Sequence, residues 1–159
     1  MKIKFTVSRS IEIDKPVAEV FKNVADFDQM NLWSPWLVLE RKAENTASGP
    51  KAQVGYKHIW NGDLIGAGTM TYTTVEDNNR IECDLVFLKP FKSTAQASFV
   101  FEKTSTGTKV EWIMHGNLPF FLFFMKPQME GFIGNDYERG LRMLKDLCEL
   151  GEVVSNVSY

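Results

Sequence analysis

The chain has 159 residues, of which 44% are apolar and 24% are charged, and its net charge at pH 7 is −2. This length and balance fit one globular domain with a substantial core, which we expect to span residues 1–159. The charge argues against nucleic acid as a partner, because binding to a phosphate backbone requires a basic surface.

The spacing of the cysteines and the length of the apolar runs bear on the cellular location of the protein. Cys83 and Cys148 follow no metal or redox spacing, so both are expected to be buried, reduced thiols. The first residues, MKIKF, lead directly into polar alternation without a hydrophobic signal core. The longest apolar run, Leu118–Met125, is too short to span a bilayer. We therefore predict a cytoplasmic protein without stable membrane insertion.

The first predicted strand, Ile3–Ile13, alternates apolar and polar residues except at Arg9, which falls on the apolar parity. Arg9 marks either an edge position or a bulge, or else its guanidinium points inward and anchors a ligand. Asp14 is a natural N-cap for a short helix over Val17–Val24, with Pro16 in the first turn.

A second short helix is predicted over Gln29–Trp36, broken at Pro35. Six more strands follow, with the predicted spans Leu37–Arg41, Val54–Trp60, Gly66–Glu76, Ile81–Phe87, Ala95–Phe101 and Val110–Met114. The polar stretch Glu44–Lys51 is predicted as a loop, since Gly-Pro is a turn signal.

A long amphipathic helix is predicted from Leu118 to Gly151. Its apolar stripe recurs at steps of three and four residues and consists of Met129, Ile133, Tyr137, Leu141, Leu144 and Cys148. Glu138 and Arg142, on the opposite face, are spaced for a favourable i,i+4 pair. The stripe must lie on the sheet, so we predict an α+β fold in which a curved antiparallel sheet of about seven strands wraps around the long C-terminal helix.

Several segments carry a resemblance to a known family: VSRSIEIDKPVAEVFKNVADF near the start, WSPW at Trp33–Trp36, GAGTMTYTTVEDNNRIECDL, GTKVEWIMHG and IGNDYERGLRMLKDLCE. In these the chain resembles the START-like, helix-grip superfamily, and in particular its bacterial polyketide cyclase/dehydrase-like branch. The likeness covers nearly the whole chain. It implies a hydrophobic cavity between the sheet and the long helix, used across the superfamily for lipids, sterols, polyketides or quinones. It does not imply one chemistry, because a fold does not fix a function.

The inward parity of the strands and the helix stripe predict the residues of such a cavity. The predicted walls are Trp60, Met70, Tyr72, Leu85, Phe87, Phe99, Trp112, Met114, Phe124, Met129 and Ile133. The predicted polar anchors are Arg9, His58 and Tyr72. His58 is either such an anchor, a general base, or a hydrogen-bonded strand histidine, whereas His115 is expected to face solvent.

No catalytic centre, metal site or cofactor is expected. Neither cysteine accompanies a histidine at a ligand spacing, and no nucleophile elbow, P-loop or dinucleotide fingerprint is present. The leading hypothesis is binding, transport or sequestration of a small hydrophobic molecule. The alternatives are a cyclase or dehydrase-like enzyme that uses the same cavity, and a protein-interaction module without a ligand.

Four phenylalanines, Phe120, Phe121, Phe123 and Phe124, precede Pro127. They form either the first turn of the long helix packed on the sheet, or a lid over the cavity entrance that makes transient contact with a membrane or an apolar partner. Pro127 is expected to act as a hinge or as the helix start.

Overall fold

A computed structural model describes residues 2–90 and 92–154, without the side chain of Phe120, and shows an α+β fold. Seven strands form one antiparallel sheet in the order β1-β7-β6-β5-β4-β3-β2. They are β1 (Lys2–Ile13), β2 (Glu44–Ser48), β3 (Lys57–Gly62), β4 (Gly66–Glu76), β5 (Arg80–Lys89), β6 (Ser93–Lys103) and β7 (Thr108–Pro119).

Three short helices follow β1, and one long helix ends the described chain. They are α1 (Val17–Ala25), α2 (Phe27–Trp33), α3 (Pro35–Leu39) and α4 (Lys126–Leu150), with a 3-10 helix (Phe120–Met125) directly before α4. The helix-grip architecture expected from the sequence is therefore confirmed. No helix in the described parts of the chain combines the length and the apolar character needed to cross a bilayer.

Two predictions between α2 and β3 are wrong. The run predicted as a strand over Leu37–Arg41 lies largely in helix α3, because Pro35 occupies the first turn of that helix, where its fixed φ favours helix. The stretch Glu44–Lys51, predicted as a loop, contains the edge strand β2. Every residue of β2 is exposed, so this strand has no apolar alternation by which a sequence pattern could reveal it.

The predicted start of the long helix at Leu118 is also wrong. Strand β7 continues to Pro119, the 3-10 helix follows, and α4 begins at Lys126 with Pro127 in its first turn. Pro127 therefore marks a helix start, where its missing N–H leaves no intrahelical hydrogen bond unmade.

The predicted N-cap of α1 needs a correction as well. Pro16 occupies that position, and the backbone N–H of Asp14 instead donates to Oε2 of Glu149 on α4 at 2.8 Å. Asp26 does cap a helix, since its side chain accepts a hydrogen bond of 2.9 Å from the N–H of Asp28 at the start of α2. Capping by a short carboxylate satisfies an N–H that the first helical turn leaves without a partner.

The cross-strand register arranges the inward-facing side chains in rows across the sheet. One row runs Arg9, Trp112, Phe99 and Ile81 through β1, β7, β6 and β5. A second row lies four residues from the first along β1, β7, β6 and β5, and it continues onto β4 and β3. Its members, in the same strand order, are Phe5, Gly116, Ala95, Leu85, Met70 and His58. We call the end of the sheet where β3, β5 and β7 finish and β4 and β6 begin the open end.

Candidate functional site

Away from the open end, the space between α4 and the sheet is filled by aromatic rings. Trp112 stacks on Tyr137 of α4 with ring centroids 3.7 Å apart, and Phe99 stacks on Trp112 at 5.0 Å. Trp33 of α2 meets Trp112 edge to face at 5.5 Å. These rings are buried, and packing at this density leaves no room for a ligand among them.

Two glycines allow α4 to approach its neighbours closely. A Cβ at Gly140 would lie 2.9 Å from Cδ of Pro35 and 2.9 Å from the Trp112 ring, and a Cβ at Gly134 would overlap the guanidinium of Arg9. The helix thus passes β1 at Gly134 and the Trp112 ring at Tyr137 and Gly140. Its first turns therefore lie towards the open end.

At the open end the inner face of the sheet is less completely covered. Ala95 on β6, Phe87 on β5 and Met70 on β4 lie on inner strands and face inward, yet each is only half-buried. Four other large apolar side chains share this half-buried state around them: Trp60 on β3, Leu118 on β7, and Met129 and Ile133 on the first turns of α4. We call these seven residues the cleft. An inward residue on an inner strand stays partly exposed only where no helix covers it.

Small residues form part of the cleft floor. The indole of Trp60 lies over Gly68, where a Cβ would be 2.6 Å from Cζ2, and a Cβ at Gly116 would overlap the ring of Phe5. Ala95 stands between Leu85 and Gly116 in the register and has no large side chain of its own to fill the space above it. The floor therefore presents apolar surface in which Ala95 is the smallest of the half-buried inward side chains.

His58 borders the cleft beside Met70 and Trp60. It is buried, its ring centroid is 5.1 Å from that of Phe27, and Nε2 lies 3.4 Å from Oδ1 of Asn45 on β2. Burial lowers the pKa of His58 to about 4, because the charged imidazolium loses its hydration. The side chain is thus neutral at pH 7 and acts as a hydrogen-bonding group rather than as an effective general base.

The other two predicted anchors are engaged within the protein. The Tyr72 hydroxyl donates to the backbone oxygen of Ala25 at 3.0 Å, and its burial raises the Tyr72 pKa well above the ordinary value. Arg9 lies at an edge-strand position with regular pairing, not at a bulge. Its Nε donates to Glu138 at 2.9 Å, so the ion-pair partner of Glu138 is Arg9 on β1 and not the predicted Arg142 on the same helix.

Neither of the two thiols is in the reactive thiolate form. Cys83 and Cys148 are free and buried, as expected from their spacing. Burial raises the pKa of Cys83 to about 12 and that of Cys148 to about 11, so neither is a thiolate at neutral pH. Among the described residues, no group of three or more histidine, cysteine or carboxylate side chains is placed to hold a metal ion.

Two depressions lie on the outer face of the sheet, opposite α4. The larger has a volume of about 560 Å³ and is bordered by Lys4, Thr6, Asp84, Gln96, His115 and Asn117. His115 is exposed there, as predicted, and its Nδ1 lies 3.1 Å from Oγ1 of Thr6. A shallow polar surface of this kind does not suit an apolar molecule, which gains affinity from burial in an apolar site.

The structure separates the predicted wall residues into four groups. Trp60, Met70, Phe87, Met129 and Ile133 lie in the cleft, and Leu85 and Met114 lie buried beneath it. Tyr72, Phe99 and Trp112 belong to the filled core, and Phe124 is 66% exposed on the surface rather than in a wall.

Sequence reasoning missed Ala95 and Leu118 of the cleft, and Asn45 beside His58. Ala95 is a small residue on the inward parity of its strand. Because such a residue occurs both under closely packed neighbours and beside open space, the pattern alone does not assign it to a cleft. Leu118 was assigned to the long helix, although it lies on β7. Asn45 was hidden because β2 has no apolar pattern.

Comparison with known proteins places this arrangement in context. A family model described as polyketide cyclase / dehydrase and lipid transport matches residues 4–149. No curated protein matches the chain.

Solved structures with the same fold are numerous and distant in sequence. A protein from Mesorhizobium loti superposes with a TM-score of 0.72 at 17% identity, over 94% of this chain and 100% of that one. A protein of unknown function from Staphylococcus aureus gives 0.74 at 10% identity, over 94% and 96% of the two chains. The Aha1 dimer from Colwellia psychrerythraea gives 0.66 at 19% identity, over 92% and 98%. At these identities the likeness establishes the fold.

Proposed function

The chain belongs to the family of polyketide cyclases, dehydrases and lipid-transport proteins, and from that premise we propose that it binds a small hydrophobic molecule, such as a lipid, a polyketide or a quinone, in the cleft. One observation carries the proposal: inward side chains of inner strands, Ala95, Phe87 and Met70, remain half-buried at the open end. A molecule lying there would remove apolar surface from water, which stabilises a complex by about 25 cal/mol per Å².

The position of the site follows from how α4 is seated. Its later turns rest on Trp112 and Pro35 through Gly140, so the filled core fixes the helix. Its first turns carry Met129 and Ile133 over the cleft. Methionine side chains at both walls, Met70 and Met129, suit a site that adapts its shape to an apolar ligand, because the unbranched thioether has several accessible rotamers.

His58 supplies the polar group of the site. As a neutral imidazole at the border of the cleft it can exchange a hydrogen bond with a carbonyl or hydroxyl of the ligand and fix its orientation. Its lowered pKa supports binding rather than general-base catalysis, since a general base works best with a pKa near the operating pH. The two buried thiols support a reducing, cytoplasmic setting for this activity.

The proposal is tested by filling the cleft floor. Ala95→Leu places a larger side chain on the floor of the cleft, where it would occupy space that a ligand needs. We expect it to lower the affinity for the neutral apolar probe N-phenyl-1-naphthylamine by about tenfold or more, which corresponds to about 1.4 kcal/mol. Probe fluorescence measures the binding, and native mass spectrometry of gently purified protein reports any apolar molecule that co-purifies and whether Ala95→Leu loses it.

Thr94→Leu is the matched control. Thr94 is the neighbouring residue on β6, but its side chain is exposed on the outer face, so the same side chain is introduced on the opposite side of the sheet. Equal affinities in Ala95→Leu, Thr94→Leu and the unchanged chain would contradict binding in the cleft, as would a complete absence of probe binding.

A further inference from the structure

The open end carries an unusual concentration of exposed large apolar side chains. Phe123 and Phe124 of the 3-10 helix are 65% and 66% exposed, and Leu64 in the β3–β4 turn is 73% exposed. The same end also exposes Leu88, Phe121, Met125 and Phe132. We call these seven residues the docking surface. Exposed apolar side chains gathered at one place indicate contact with an apolar partner, whereas scattered ones do not.

The strand register shows that these residues belong to one end of the molecule. Gly62 pairs with Gly66, and Ala67 pairs with Lys89, so the β3–β4 turn and the last residues of β5 lie at the same end of the sheet. Lys2 pairs with Pro119, which places the start of β1 beside the residue that precedes the 3-10 helix. The 3-10 helix contacts both β1 and β7. The docking surface therefore surrounds the end of the sheet at which the cleft lies.

Lysines border the docking surface on the side of β1, β5 and α4. They are Lys2, Lys4, Lys89, Lys92 and Lys126, and the carboxylates among them are Glu130 and, beside Lys4 on the outer face, Asp84. The β2–β4 side of the same end is mixed, with Glu40, Glu44 and Asp63 beside Arg41 and Lys42, and the Glu40 carboxylate accepts hydrogen bonds from the N–H groups of the β3–β4 turn. In a chain with a net charge of −2, this gathering of lysines makes the docking surface locally basic.

From these features we propose that the docking surface binds the surface of an anionic lipid membrane. Phenylalanine rings insert at the boundary between headgroups and acyl chains, while lysines beside them attract acidic headgroups. The charge pattern favours a membrane over a protein partner, because exposed rings bordered by a row of lysines complement a continuous anionic plane. Attachment would be peripheral, since the rings belong to a short 3-10 helix and to the first turns of α4, and no described helix is long and apolar enough to cross a bilayer.

Membrane docking would bring the cleft to the lipid surface. Leu118 lies shortly before the 3-10 helix in the chain and Met129 shortly after it, so the docking surface and the cleft are neighbouring parts of one end. This geometry gives an apolar ligand a route from a membrane to the cleft with little exposure to water. The docking surface does not depend on a ligand being bound, so the inference goes beyond the proposed function and can be tested apart from it.

The test is flotation of the full chain with vesicles of phosphatidylglycerol and phosphatidylcholine, compared with vesicles of phosphatidylcholine alone. We expect binding to the anionic vesicles that falls as salt is raised, because screening weakens the lysine contribution. Phe123→Ser combined with Phe124→Ser is expected to reduce vesicle binding by about tenfold or more, since it removes two inserting rings. Lys89→Glu combined with Lys92→Glu is expected to remove the preference for anionic lipid.

Two control variants lie at the opposite end of the sheet. Val54→Ser removes an apolar side chain that is 58% exposed, and Lys103→Glu reverses an exposed lysine beside the β6–β7 turn. Neither is expected to change vesicle binding.

Three results would overturn the inference: no binding to anionic vesicles, an equal loss with the phenylalanine pair and with Val54→Ser, or a dimer in sedimentation that the phenylalanine pair abolishes without any vesicle binding. The last would show that a second copy of the chain covers the docking surface. Probe binding in the cleft is measured without vesicles, so the two proposals are tested separately. A failure to bind vesicles would leave the proposal of an apolar ligand intact, and a failure to bind the probe would leave the proposal of membrane docking intact.

Discussion

His58 illustrates how one side chain links the cleft to the stability of the fold. Its imidazole is buried against Phe27 and Trp60, and burial lowers its pKa from 6.5 to about 4. In the unfolded chain the same group takes up a proton near pH 6.5. Between these two values the unfolded state binds more protons than the folded state, so the free energy of unfolding falls as the pH falls.

We expect the free energy of unfolding to fall by at most about 3 kcal/mol between pH 6.5 and pH 4 because of His58. Above pH 6.5 we expect no such dependence on His58. Urea denaturation at a series of pH values measures it. His58→Gln is expected to flatten the dependence in this window, whereas His115→Gln, which removes the exposed histidine of the outer face, is expected to keep it. Indistinguishable curves for the unchanged chain and His58→Gln would contradict the burial of a neutral imidazole.

Single residues also show what a sequence pattern can and cannot reveal about the cleft. Inward parity correctly placed Trp60, Met70 and Phe87 on the inner face, because side chains alternate strictly between the two faces of a strand. Parity could not distinguish these residues from Phe99 or Trp112, which share the face but lie beneath the helix. That difference depends on where α4 is seated, which no local pattern encodes.

Among the elements, α4 shows why two of its glycines are needed and a third is not. Gly131 is exposed, with nothing within 4 Å of the position of a Cβ, whereas a Cβ at Gly140 would meet the Pro35 ring and the Trp112 ring at 2.9 Å. Alanine favours helix over glycine by about 1 kcal/mol at an unobstructed position. At a crowded position the displaced neighbours cost about 1–3 kcal/mol.

Gly131→Ala is therefore expected to raise the free energy of unfolding by about 0.5–1 kcal/mol. Gly140→Ala is expected to lower it, because both neighbouring rings belong to the packed core and have little room to move. Chemical denaturation of the two variants side by side measures this. Stabilisation by both substitutions would contradict the close seating of α4 on the core.

The elements that were predicted incorrectly share a physical cause. Strand β2 is held by its pairing with β3 and by contacts such as that of Asn45 with His58, not by an apolar face of its own. Helix α3 consists of PWLVL, whose apolar run suits a strand as well as a helix until its tertiary position is known. The long helix, strand β1 and the five strands from β3 to β7 were predictable because each buries one regular apolar stripe or face.

The whole molecule combines a densely packed half and an open half. The closely packed rings of Trp33, Phe99, Trp112 and Tyr137 close the space between α4 and one half of the sheet. At the other half the cleft remains partly exposed, with the docking surface next to it. This division explains how one core both holds the fold and leaves apolar surface available for a ligand.

The seven methionines of the chain offer a direct test of that division. Met70 and Met129 lie in the cleft, whereas Met30 and Met143 are buried in the packed core. A two-dimensional carbon–proton spectrum of protein with labelled methionine methyl groups, recorded while N-phenyl-1-naphthylamine is added, reports on each separately. We predict that the Met70 and Met129 signals shift to saturation while those of Met30 and Met143 stay in place. Stationary Met70 and Met129 signals, or shifts of equal size at Met143, would contradict ligand binding in the cleft.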